Sequence, residues 1–219
     1  MDRNLLESPD ERPCPRRRLR LVGQALGGPE AEPMSVTVEL TIEDPSWTAV
    51  GDLQCLVERA VAAALAEAGV GSRGGTELSC LLCDDAAIQA LNLLWRGIDR
   101  PTNVLSFPAT GPGAERMLGD IVVAYGTVSR EALAESKAMR DHFAHLVVHG
   151  TLHLVGQDHE AAAEAEVMEA LETRAMARLG MADPYAGSVP ERRSVPEQRS
   201  LTKRGGVPKS DSVPIGGSP

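Results

Sequence analysis

The run His149-Gly150-Thr151-Leu152-His153-Leu154-Val155-Gly156-Gln157-Asp158-His159 decides how the chain is read. Two histidines four residues apart lie one above the other on one face of an α-helix, so both imidazoles can reach a single ion without backbone strain. Gly156, three residues past His153, can take the left-handed conformation that stops a helix and reverses the chain, which would return His159 as a third ligand. Three imidazoles leave one coordination position open. That position separates a catalytic zinc from a structural one, because a water held there is acidified to a pKa of roughly 7. The expected cofactor is one Zn2+ per chain, on a central helix and the turn after it.

The spacing matches a protease signature, H-E-x-x-H-x-x-G-x-x-H, with Gly150 in place of the glutamate. That glutamate is the general base of peptide hydrolysis, so its absence argues against a metalloprotease while leaving metal binding intact. The alternative is packing or solvation of the histidines on an amphipathic helix. Three of the chain's five histidines in one such spacing favour the ion. His142 and His145 extend the helix upstream; His145 continues the four-residue step and is a candidate to stand behind the ligands.

Working outward, 219 residues suffice for one domain with a proper core and two tails. No apolar run approaches the roughly 20 residues that span a bilayer, and no cleavable apolar leader opens the chain, so a cytoplasmic protein is expected. The four cysteines are scattered and do not resemble a disulfide framework. Cys80 and Cys83 form a C-x-x-C inside an apolar run, where strand alternation sends them to opposite faces as buried thiols. Residues 34–184 hold 10 basic and 22 acidic side chains, a net of −12, while residues 1–33 balance at zero and residues 185–219 carry +3. An acidic core is a poor general nucleic-acid binder, so a polyanion must meet a local patch. Arg96, Arg100 and Arg116 supply one.

In chain order, residues 1–33 are rich in Pro, Gly, Glu and Arg and read as a disordered extension; the run Arg16-Arg17-Arg18-Leu19-Arg20 reads as a solvated tail. Met34 directly precedes the first alternating strand, Ser35 to Ile42, which suggests translation starting there; N-terminal peptide mapping of the native protein decides it. A helix from Gly51 or Asp52 to Ala68, a strand from Thr76 to Cys83, and a helix capped by Asp84 and reaching Trp95 follow, with Leu91, Leu94 and Trp95 expected on the inner face. Arg96 to Asn103 is a loop into a short strand that Pro108 limits to an edge or an early end. Ile121 to Ala124 gives a fourth strand, Thr127 or Ser129 caps a helix to about Met139, and the histidine helix runs from about Asp141 to Val155. Glu160 to Leu179 is an amphipathic helix closed by Gly180. The chain beyond Pro184 reads as a disordered tail. The fold class is α/β (α+β), a single domain with a small mixed four-stranded sheet and about five helices.

Leu91-Asn92-Leu93-Leu94-Trp95-Arg96, Pro101-Thr102-Asn103-Val104-Leu105-Ser106-Phe107-Pro108, Leu118-Gly119-Asp120-Ile121 and the histidine run together resemble the YbeY family of bacterial endoribonucleases, from about Met34 to Leu179. The resemblance implies a single-strand-specific, metal-dependent endoribonuclease acting in ribosomal RNA maturation, at the 3′ end of the small-subunit RNA, and in ribosome quality control. It implies zinc on His149, His153 and His159, and an essential Arg96. Partners implied are single-stranded or ribosomal RNA, the small ribosomal subunit and a ribosome-associated GTPase. Asn103 stands where the family usually has aspartate and Gln157 where it has tyrosine; neither is an expected ligand.

Such chemistry needs a nucleophile and charge stabilisation at the phosphate. A zinc on three neutral imidazoles keeps its +2 charge, and Arg96 can meet non-bridging oxygens with two parallel hydrogen bonds. Attack by a metal-bound hydroxide and attack by the ribose 2′-hydroxyl both stay open. Asp158 is a candidate to orient His159, and Ser106, Thr102 and Arg100 are candidate RNA contacts, with turn-stabilising roles as the alternative. A non-catalytic, zinc-stabilised assembly factor is the other reading of the same residues.

Overall fold

The structure, a computed structural model, describes residues 36–70, 76–111, 116–157 and 162–186. The alternating Val36, Val38 and Leu40 form β1 (Val36–Ile42), and a short 3-10 turn (Pro45–Val50) leads to α1 (Leu53–Glu67), capped by Asp52 through Cys55 N. Then come β2 (Thr76–Cys83), α2 (Asp85–Arg96), β3 (Val104–Pro108), β4 (Met117–Ala124), α3 (Tyr125–Ala134), α4 (Met139–Leu154) and α5 (Ala162–Leu179). Asp84 caps α2 through Ala87 N, and Gly97 ends it in the left-handed conformation at φ 70°.

The sheet order is β1-β2-β4-β3; β1 and β4 run parallel to β2, and β3 is antiparallel to β4. β3 is an edge strand, as Pro108 requires, since proline has no N–H to give a ladder on both sides. Strand alternation divides the core in two. Val38, Leu78, Cys80, Leu82, Val104, Ile121 and Val123 face α1, α4 and α5, and Leu105, Val122, Cys83 and Ala124 face Ile88 on α2. Helix α4 packs against α1, α3, α5, β3 and β4 and is buried on most of its circumference. A helix that is apolar nearly all round belongs in the centre of a domain. Cys80 and Cys83 fall in the two different clusters, and burial pushes both thiols up to about 12.

The mixed four-stranded sheet and five α-helices match the expected fold class among the described residues; none of these helices is long and apolar enough to cross a membrane. Several details differ. On α2 Leu91 packs against the smaller cluster as expected, but the buried residues are Ile88 and Asn92, while Leu94 is 74% and Trp95 56% exposed. Asn92 is drawn inward because its Nδ2 donates to the Arg100 carbonyl at 2.8 Å, closing the loop behind the helix. Neither Thr127 nor Ser129 caps α3, which starts at Tyr125 directly from β4; Thr127 N and Oγ1 instead donate to Asp85 Oδ1 at 2.8 and 2.9 Å. Among the described cysteines, Cys80 and Cys83 are free thiols, as expected, whereas Cys55 is disulfide-bonded. Tyr185, just past the boundary expected at Pro184, bonds Glu172 through its hydroxyl. Met34 and the two tails other than Tyr185 and Ala186 lie outside the described residues.

Candidate metal centre

The last two turns of α4 place His149 and His153 side by side, ring centroids 4.6 Å apart and planes at 82°. Their Nε2 atoms face each other at 3.2 Å. Two nitrogens on a tetrahedral zinc at about 2.0–2.1 Å sit roughly 3.3 Å apart, so this pair has the spacing the ion requires. Gly156 adopts φ +83°, and Gly156 N and Gln157 N donate to the His153 and Leu152 carbonyls, each at 3.0 Å. The chain therefore turns back immediately after His153, as the glycine spacing predicts. Asp158 and His159 lie outside the described residues.

Behind the pair stands a residue that reading the sequence missed. Glu172 on α5 is 1% exposed, and its Oε1 is 2.6 Å from His149 Nδ1 while its Oε2 is 2.8 Å from His145 Nε2. Tyr185 donates its hydroxyl to the same Oε2. Burial pushes this carboxyl up, but the hydrogen bonds from His145 and His149 override it and hold it far below the usual carboxylate range. At His145 burial prevails instead and lowers its pKa despite Glu172. Its Nδ1 is buried without a partner, which suits a neutral ring that donates from Nε2. His145 thus stands behind His149 and shares its carboxylate.

A signal for Glu172 was present. The buried positions of α5 are Met168, Leu171, Ala175, Met176 and Leu179, a helical stripe that includes residue 172, so a carboxylate falls where the period demands an apolar side chain. A buried charge on such a stripe survives only with partners.

Gly150 has a steric reason as well as a chemical one. A Cβ there would lie 3.0 Å from Ser106 Oγ and 3.2 Å from Ile121 Cδ1, so α4 approaches β3 and β4 closely enough that a longer side chain must push both neighbours aside. A protease glutamate would have to displace them. Ser106 Oγ, buried against this glycine, has no hydrogen-bond partner among the described residues.

The arginine loop arrives differently. Arg96 ends α2, on the face of the sheet opposite α4, and is half-buried; Arg100 is exposed. Thr102 Oγ1 contacts Asn103 Oδ1 at 3.5 Å, and Asn103 Nδ2 donates to Glu131 Oε2 at 3.0 Å. Glu131 Oε2 in turn lies 2.9 Å from His142 Nε2. Asn103 thereby ties the loop through α3 to the first turn of α4, two turns from His149. His142 is occupied by this link, away from the imidazole pair.

Residues 41–180 match the family model described as Endoribonuclease YbeY. Among curated relatives named endoribonuclease YbeY, that of Methylocella silvestris is 48% identical over 153 residues, 69% of this chain and 87% of its own. That of a Bradyrhizobium species is 52% identical over 157 residues, 68% of this chain and 92% of its own. A solution structure of a Thermotoga maritima protein aligns with a TM-score of 0.46 and 25% identity, over 72% of this chain and 100% of that one. The family match runs from the end of β1 to the glycine that closes α5, and so encloses β2, β3, β4 and the histidine helix: the chain belongs to the YbeY family.

Proposed function

We propose that the protein is a zinc-dependent endoribonuclease that cleaves single-stranded RNA during ribosomal RNA maturation, at the 3′ end of the small-subunit RNA, and in ribosome quality control. The observation that carries this reading is the pair of Nε2 atoms at 3.2 Å, with His149 Nδ1 held from behind by a buried carboxylate. His149, His153 and His159 would hold one Zn2+. Bound there, the ion supplies an acidified water or a Lewis-acid contact to a phosphate oxygen. Arg96 receives the non-bridging oxygens through its guanidinium, and Arg100 and Thr102 are further candidates for RNA contact along the same loop. Asp158 orients His159. The substrate partners are single-stranded and ribosomal RNA, with the small ribosomal subunit and a ribosome-associated GTPase as docking partners, in the cytoplasm.

Zinc analysis of the purified protein, paired with cleavage of single-stranded RNA with and without chelator, tests this directly. Cleavage that persists without metal rejects it. Arg96→Ala should keep the fold and lose about 100- to 1000-fold in rate, the typical effect of deleting one transition-state contact. No loss of function in the cell for Arg96→Ala, together with unfolding of His153→Ala, would point to a zinc-stabilised assembly factor.

A further inference from the structure

We infer that Glu172 is a positioning residue that fixes the tautomer and orientation of His149, presenting a bare Nε2 toward the point it shares with His153. The inference rests on the function proposed above and extends it from the ligands to the groups that aim them. Accepting at 2.6 Å, Glu172 Oε1 requires a proton on His149 Nδ1, and a neutral imidazole with Nδ1–H has its lone pair on Nε2. The second oxygen receives His145 Nε2 and the Tyr185 hydroxyl, so three donors from α4 and the segment after α5 lock one carboxylate. That segment is held in turn by Lys137 Nζ, which donates to the Pro184 carbonyl at 2.8 Å. An ion pair that only stapled α5 to α4 would have no need to select one nitrogen of His149. The arrangement here does select one, and leaves the other facing its neighbour.

Two measurements on the full-length protein decide it. In metal-free wild type with 15N-labelled histidine, long-range 1H–15N spectra should show His149 protonated at Nδ1 and bare at Nε2; a proton on Nε2 overturns the inference without any mutation. In competition with a chromophoric chelator, Glu172→Gln should bind Zn2+ about 10- to 100-fold more weakly than wild type, with unchanged far-UV circular dichroism. A folded Glu172→Gln with wild-type zinc affinity overturns it too. Failure of the wild type itself to bind zinc would reject the proposed function, while the tautomer measurement would still judge Glu172 by itself.

Discussion

The two faces of the sheet are built to different standards. Under α1, α4 and α5 the core is thick, with Leu56, Val57, Phe143, Val147, Val148 and Leu152 all fully buried. Under α2 it is thin: Ile88, Leu105, Val122, Cys83 and Ala124 form a small cluster, while Leu93, Leu94 and Trp95 stand in solvent. The imidazole pair grows from the thick face and the arginine loop leaves from the thin one. A metal site must hold its nitrogens to a few tenths of an ångström, and close packing on every side provides that; a helix on a thin cluster is free to serve as surface.

The largest effect should come from the tightest contact on the thick face. Gly150→Glu restores the protease pattern but drives a charged chain between Ser106 and Ile121, so its cost should exceed about 3 kcal/mol, from overpacking and an unpaired buried charge together. Calorimetry should find the protein unfolded or its Tm lowered by many degrees, and wild-type melting would break the comparison. Next, Leu152→Ala should cost ~3–5 kcal/mol and Ile88→Ala nearer ~2 kcal/mol, because a site flanked by exposed surface collapses more readily around a lost side chain. Equal losses in urea titrations would mean the two faces are equally well packed. Asp85 sharpens the picture at the seam of α2 and α3. Burial pushes its carboxyl up, but Arg130 and Thr127 outweigh that and hold it below the ordinary range. A depressed pKa contributes stability that is present above the unfolded-state value, near ~3.9, and is lost as pH falls through the folded-state value. Stability of the wild type should therefore drop more steeply in acid than that of Asp85→Asn, and parallel curves would reject the assignment. Smallest of all, Leu94→Ser should shift stability by no more than ~0.5 kcal/mol, since the side chain has no core to leave.

Most of the scaffold could be read from local signals. Alternation marked β1, Asp52 and Asp84 announced helix starts, and Gly156 and Gly180 announced the ends. What failed had a tertiary cause. Leu94 and Trp95 look apolar enough to face inward, but the polar Asn92 outranks them because only it can satisfy the Arg100 carbonyl. Thr127 resembles a cap and is spent on Asp85, 42 residues away. At the candidate site the His149 and His153 pairing follows from spacing within one helix, whereas Glu172 lies 23 residues from His149 and meets it only after α5 docks. Its one local trace is a charge on an apolar stripe.

The chain has two tryptophans, and they report on opposite faces. Trp47 is fully buried, its Nε1–H donating to the Cys83 carbonyl at 3.2 Å and its ring 4.7 Å from that of Phe143 on α4. Trp95 is 56% exposed and touches only the edge-strand Phe107, at 5.7 Å, among ring contacts. The intrinsic emission should accordingly split into a blue, quencher-resistant component from the dry side and a red, acrylamide-sensitive one from the wet side. A single native spectrum then follows the histidine helix and the arginine-bearing helix separately, without any label.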